Sequence, residues 1–137
     1  MHVLILHASP KKKGGASRFF AGLFSLFLPG TRKKTVSINS RQDFQRALEL
    51  FPGMDVVCFF VPLYVDGLPS HVMEFLSQAE KYCKNHSCRF RLYAVANNGF
   101  VEGKQNREVT PKSCTRVMRQ SRFEFCIGQD LTHSIFL

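Results

Sequence analysis

Short apolar runs alternate along the chain with segments in which apolar residues recur every three or four positions. His2-Val-Leu-Ile-Leu-His7 is such a run, the kind a strand buried on both faces requires. Ser9 to Gly15 is loop by composition. Ser17 is placed to cap the helix that follows, in which Phe19, Phe20, Leu23, Phe24 and Phe27 share one face. Pro29-Gly30 stops it. Lys34 to Ile38 alternates, as an edge strand does, and Asn39-Ser40 leads into a short helix with Phe44, Ala47, Leu48 and Phe51 on one stripe, ended by Pro52-Gly53. Asp55 to Val61 is the most strand-like stretch and belongs in the centre of a sheet. Pro69 suits the first turn of a third helix, whose buried stripe is Val72, Phe75, Leu76, Ala79 and Cys83. Arg89 to Ala96 reads as a fourth strand and Phe123 to Gly128 as a candidate fifth.

The order β-α-β-α-β-α-β with short connections implies an α/β fold: a parallel sheet, helices on both faces and right-handed crossovers. The 137 residues are expected to form one domain. In sheets of this type a ligand sits beyond the carboxyl ends of the strands. The loops after the first, third and fourth strands are the ones rich in Gly, Pro, Asn and Ser, so function is expected there.

Composition narrows the field. Apolar residues make up 45%, with fourteen Phe, three Tyr and no Trp. The longest apolar stretch, Phe19 to Leu28, is about half of the ~20 residues a membrane span needs, and a basic loop and a strand precede it, unlike a signal peptide. A cytoplasmic protein without membrane partners is expected. Five cysteines are widely spaced with no zinc pattern. Cys83 and Cys88 with His86 between them invite a metal reading, against the plainer one of reduced thiols at a helix end and a strand start. Cys58 belongs to the core. The net charge is +9, and residues 1–34 hold seven Lys/Arg and no acid. A nucleic-acid surface is one cause of such a balance. A phosphate group beside Lys11, Lys12 and Lys13 is a narrower one, and no nucleic-acid motif accompanies the charge.

The first loop has the composition of a phosphate cradle. Gly14 and Gly15 let backbone N–H groups approach an anion, and the positive end of the next helix faces the same point. Ser9 and Ser17 add hydroxyls and Lys11 a charge. Neither a Walker loop nor a Gly-x-Gly-x-x-Gly loop is present, and a glycine-rich turn with solvated lysines is the alternative.

The stretch from His7 to Ser17 resembles the phosphate loop of the NAD(P)H-dependent FMN reductase branch of the flavodoxin-like proteins. Pro62 to Pro69, running into His71-Val-Met-Glu-Phe-Leu76, resembles that family's second flavin loop and its helix, and Asn97 to Asn106 its third loop. The match covers about residues 1–107. It implies a flavodoxin-like three-layer α/β/α sandwich with strand order 2-1-3-4-5 and FMN as cofactor. Carried over, Ser9, Lys11, Gly15, Ala16 and Ser17 hold the phosphate. Pro62, Leu63, Tyr64 and Val65 lie along the isoalloxazine and ribityl chain. Asn97, Asn98 and Gly99 line the pyrimidine side, with Phe100 and Glu102 at its rim. A loop aromatic closing the core is the plainer role for Tyr64, and turn chemistry for Asn97 and Asn98.

Ala8 stands where the family has glycine, and Gly15 where it has asparagine. The larger departure begins near Glu108, where Val109-Thr-Pro111 interrupts the expected helix, so an altered or truncated C-terminus is expected. The resemblance implies an oxidoreductase passing a hydride from NADH or NADPH through FMN to a quinone, nitro, azo or similar small-molecule acceptor, and a homodimer. A flavodoxin-type electron carrier and a non-catalytic remnant are the alternatives. His7 and His71 are candidate proton donors, with strand-end packing and a helix-surface position as their plainer roles.

Overall fold

A strand that is apolar at every position has to be sheltered on both faces, and two such strands organise this chain. The computed structural model describes residues 1–9, 15–64 and 67–97. Strands β1 (His2–His7), β2 (Arg32–Ser37), β3 (Val56–Pro62) and β4 (Arg91–Asn97) alternate with helices α1 (Ala16–Leu26), α2 (Arg41–Leu50) and α3 (Ser70–Asn85). A single 3₁₀ turn, Phe51–Gly53, follows α2. The four strands form one parallel sheet in the order β2-β1-β3-β4, as expected for these elements. The candidate fifth strand and the rest of the tail lie outside the described residues.

Side chains of β1 and β3 alternate between two cores. Leu4, Leu6, Val57, Phe59 and Val61 meet Phe44, Ala47, Leu48, Val72, Phe75, Leu76 and Ala79 of α2 and α3. Val3, Ile5, Cys58 and Phe60 face α1 and form a smaller cluster with Ala21, Phe20 and Phe24. The result is three layers, with the larger core held by aromatic contacts. Ring centroids lie 5.4 Å apart for Phe44 and Phe75, 5.9 Å for Phe59 and Phe75, and 5.0 Å for Phe51 and Phe90.

α2 is fixed at its start by a reciprocal capping box. Asp43 N–H donates to Ser40 Oγ, and Ser40 N–H donates to the Asp43 carboxylate, each at 3.2 Å. β2 is exposed along most of its length, as an edge strand should be, and begins two residues before the expected position. After α1, Gly30 takes φ 72°, a left-handed conformation that suits glycine and lets the chain reverse into β2.

Two expectations for α1 are corrected. The helix is capped two residues earlier than expected, by Gly15 instead of Ser17 and with no side-chain cap, so Ser17 stands inside the first turn. The five apolar residues also do not share one buried face. Small residues, Ser17 and Ala21, meet the sheet, and Phe20 and Phe24 flank them. Phe19, Leu23 and Phe27 fall on the neighbouring column, turned outward, with Phe19 66% and Phe27 71% exposed. Small side chains under the helix let it sit close to the sheet. A helix so apolar on its outer side gives no periodic signal of which face is in.

These positions differ sharply in energetic weight. Phe75→Ala should destabilise the protein by about 3–5 kcal/mol, and Phe27→Ala by less than about 0.5 kcal/mol. Urea denaturation of both variants and the parent measures the contrast.

Candidate functional site

In a parallel sheet every strand ends at the same edge, so adjacent strands deliver their following loops side by side. β1, β3 and β4 are adjacent, and their carboxyl ends are tied together by hydrogen bonds. Ala8 N–H donates to Phe60 O at 2.9 Å, joining the start of the first loop to β3. Leu63 N–H donates to Asn97 O at 2.9 Å, joining the second loop to the end of β4. Ser17 Oγ donates to Asn97 Oδ1 at 2.7 Å, linking the first turn of α1 to β4 across 80 residues of sequence. Asn97 is therefore a joint. Its side chain holds the helix after the first loop, and its carbonyl holds the segment after β3.

The described site residues fall on this edge. Ser9 is buried immediately after β1, and Gly15 is buried as the N-cap of α1. Ala16 opens the helix and is exposed, whereas Ser17 is buried, with its hydroxyl proton committed to Asn97. Pro62 ends β3 and Leu63 is buried beyond it. Tyr64 and Gly67 exchange two backbone hydrogen bonds of 3.0 Å, and Tyr64 is 51% exposed. Lys11, Val65, Asn98, Gly99, Phe100 and Glu102 lie outside the described residues.

The first turn of α1 has neither a side-chain cap nor an acidic residue, so its N–H groups and the positive end of the helix dipole are not neutralised by the helix itself. His7, the last residue of β1, is 9% exposed, and its Nδ1 has no hydrogen-bond partner. Burial, and then the Arg18 cation, hold its pKa below the ordinary value, with Asp43 acting weakly the other way. His71, in the first turn of α3, carries a second buried unpartnered nitrogen, Nε2.

The described cysteines, Cys58, Cys83 and Cys88, take no part in this edge. Burial pushes the Cys58 thiol up to about 12 inside the core. Cys83 is likewise raised to about 12, chiefly by burial, and interacts with Cys88 where α3 ends and β4 is about to begin. All three are protonated, weakly nucleophilic thiols, Cys58 within the sheet and Cys83 and Cys88 near its opposite edge. His86 stacks on Tyr82 with ring centroids 3.9 Å apart. Among the described residues no cluster of three His, Cys, Asp or Glu side chains is placed to hold a metal ion, and no helix is long and apolar enough to cross a membrane.

No protein-family model and no curated protein sequence matches the chain. Solved structures do. An azoreductase from Bacillus anthracis str. Sterne superposes with TM-score 0.60 at 13% identity, covering 93% of this chain and 86% of that one. A flavoprotein in complex with FMN from Lactobacillus acidophilus NCFM gives 0.61 at 9% identity, covering 92% and 91%. An NAD(P)H:quinone oxidoreductase from Methanothermobacter marburgensis gives 0.59 at 18% identity, covering 97% and 87%. The fold is flavodoxin-like. The flavodoxin-like frame agrees with the order and direction of all four described strands, and Asn97 sits at the carboxyl-end edge of that sheet.

The buried imidazole gives this edge a pH signature. His7 is harder to protonate folded than unfolded, so its neutral form supports the fold above about pH 6.5, and that support is lost as pH falls from there through the lower folded value. The urea midpoint should drop between pH 7.5 and pH 5.5, and His7→Asn should flatten part of that drop. Paired denaturation curves at the two pH values measure it.

Proposed function

We propose that the chain binds flavin mononucleotide at the Asn97 edge and acts as an NAD(P)H-dependent oxidoreductase toward a small quinone, nitro or azo acceptor. The meeting of the first turn of α1 and the segment after β3 on one asparagine carries this reading, because the phosphate-type and ring-type parts then serve a single ligand. The group fits what the chain offers. An uncapped helix start suits a phosphate, two buried imidazole nitrogens lack partners on the same edge, and an exposed tyrosine follows β3.

Gly15, Ala16 and Ser17 would hold the phosphate through backbone N–H groups, with Ser9 and Lys11 beside them. Ser17 serves through its amide rather than its hydroxyl, because the hydroxyl already donates to Asn97. Pro62, Leu63, Tyr64 and Val65 would run along the ring and ribityl chain, Tyr64 offering an aromatic face for stacking. Asn97, Asn98 and Gly99 would face the pyrimidine side, with Phe100 and Glu102 at the rim. The chemistry supplied by bound flavin is acceptance of a hydride from NADH or NADPH and its passage to the acceptor. The protein's own part is to orient, exclude water and attract anionic nucleotides, and a net charge of +9 suits the last of these. A homodimer belongs to the same reading, and Phe19, Leu23 and Leu26, exposed on α1, supply apolar surface for it.

Titration of the apoprotein with FMN should give saturable, stoichiometric fluorescence quenching, weakened roughly tenfold by Lys11→Ala. The loaded protein should oxidise NADH or NADPH, followed at 340 nm, when a quinone is present. Binding without turnover would instead favour an electron carrier, and absence of binding would exclude both.

A further inference from the structure

Among the described residues two buried side-chain nitrogen or oxygen atoms have no hydrogen-bond partner, His7 Nδ1 and His71 Nε2. Leaving such a group unpaired is costly, and native proteins rarely do so without a reason. Both belong to the edge where the strands end. His7 closes β1, and His71 stands in the first turn of α3, directly after the second loop. The core beneath them has no comparable defect among the described residues.

His7 can be placed more closely. Along β1, Leu4, Leu6 and Ala8 belong to the core under α2 and α3, whereas Val3 and Ile5 belong to the cluster under α1. Alternation along the strand puts His7 on the α1 side. Arg18, in the first turn of α1, lies near enough to act on its charge. The imidazole thus stands at the start of a helix with no capping side chain and no acidic residue in its first turn. A helix start of this kind attracts an anion, and a neutral imidazole adds a donor there without adding to the crowding of cations.

We propose that His7 is a ligand contact whose Nδ1–H donates a hydrogen bond to the phosphate monoester of the bound nucleotide, so that the site selects a phosphorylated flavin over its dephosphorylated counterpart. The assignment rests on the flavin-binding reading above and adds to it the residue that distinguishes the two ligands. An anion beside the ring favours the imidazolium, so phosphate binding draws a proton onto His7 as pH falls. The charged groups acting on the ring are Arg18 from α1 and Asp43 from α2. Its neighbours on the flanking strands, Ser37 in β2 and Phe60 in β3, do not titrate.

The test compares FMN with riboflavin, by flavin fluorescence quenching, on the parent protein, His7→Phe and His7→Asn. At pH 7.5 His7→Phe should weaken FMN binding about tenfold or more and leave riboflavin within about twofold. His7→Asn, which keeps a donor, should recover most of the loss. Between pH 8 and pH 6 the parent should gain FMN affinity relative to His7→Asn. The phosphate's own second ionisation near pH ~6 affects both proteins alike and cancels in that comparison. Equal weakening of both flavins in His7→Phe would reduce His7 to a packing residue, and unchanged FMN affinity in both variants would remove the contact; either result overturns the assignment while leaving flavin binding intact. A parent protein that binds neither flavin overturns the flavin-binding reading itself, and the assignment with it.

Discussion

β1 and β3 have no side that can face water. Val3 to Leu6 and Val57 to Val61 are buried at every position, alternately toward α1 and toward α2 and α3. That double burial is the constraint on which the rest of the molecule depends. Two strands buried on both faces need helices above and below. The chain meets the need by crossing over between parallel strands instead of turning back in hairpins. Because the strands are parallel, their ends gather at one edge, and the loops there are free to carry chemistry while the core carries stability.

The edge itself is organised by polar contacts. Asn97 is half-buried where β4 ends, and it satisfies an amide of the second loop and a hydroxyl of α1 at the same time. Neither contact joins residues close in sequence, so both exist only once the sheet is assembled. On the same edge His7 Nδ1 and His71 Nε2 are buried without a hydrogen-bond partner. Unpaired buried donors of this kind cost stability, and the proposed ligand would offset that cost.

Much of the architecture is legible in the residue pattern because the signals are physical and local. An unbroken apolar run such as Val57 to Val61 can only be a sheltered strand, and the stripe of Phe44, Ala47, Leu48 and Phe51 gives the inner face of α2 directly. α1 is harder to read. Its outer surface carries Phe19, Leu23 and Leu26, so hydrophobicity alone does not say that the small residues Ser17 and Ala21 mark the contact. The site is legible as loops but not as a network. Ser17 reads as a helix cap from its neighbours alone, because nothing local reveals a partner 80 residues away. Asn97 is masked in the same way by the turn chemistry of the asparagine and glycine that follow it.

The proposed flavin site depends on Asn97, which joins the first turn of α1 to the segment after β3 at the end of β4. A double-mutant cycle on Ser17→Ala and Asn97→Ala, read on FMN affinity, tests it most directly. If the joint organises the site, each single change weakens FMN binding, and the double variant is no weaker than the poorer single one, a coupling of at least about 1 kcal/mol. Additive losses, or FMN affinity indifferent to both changes, would contradict the account.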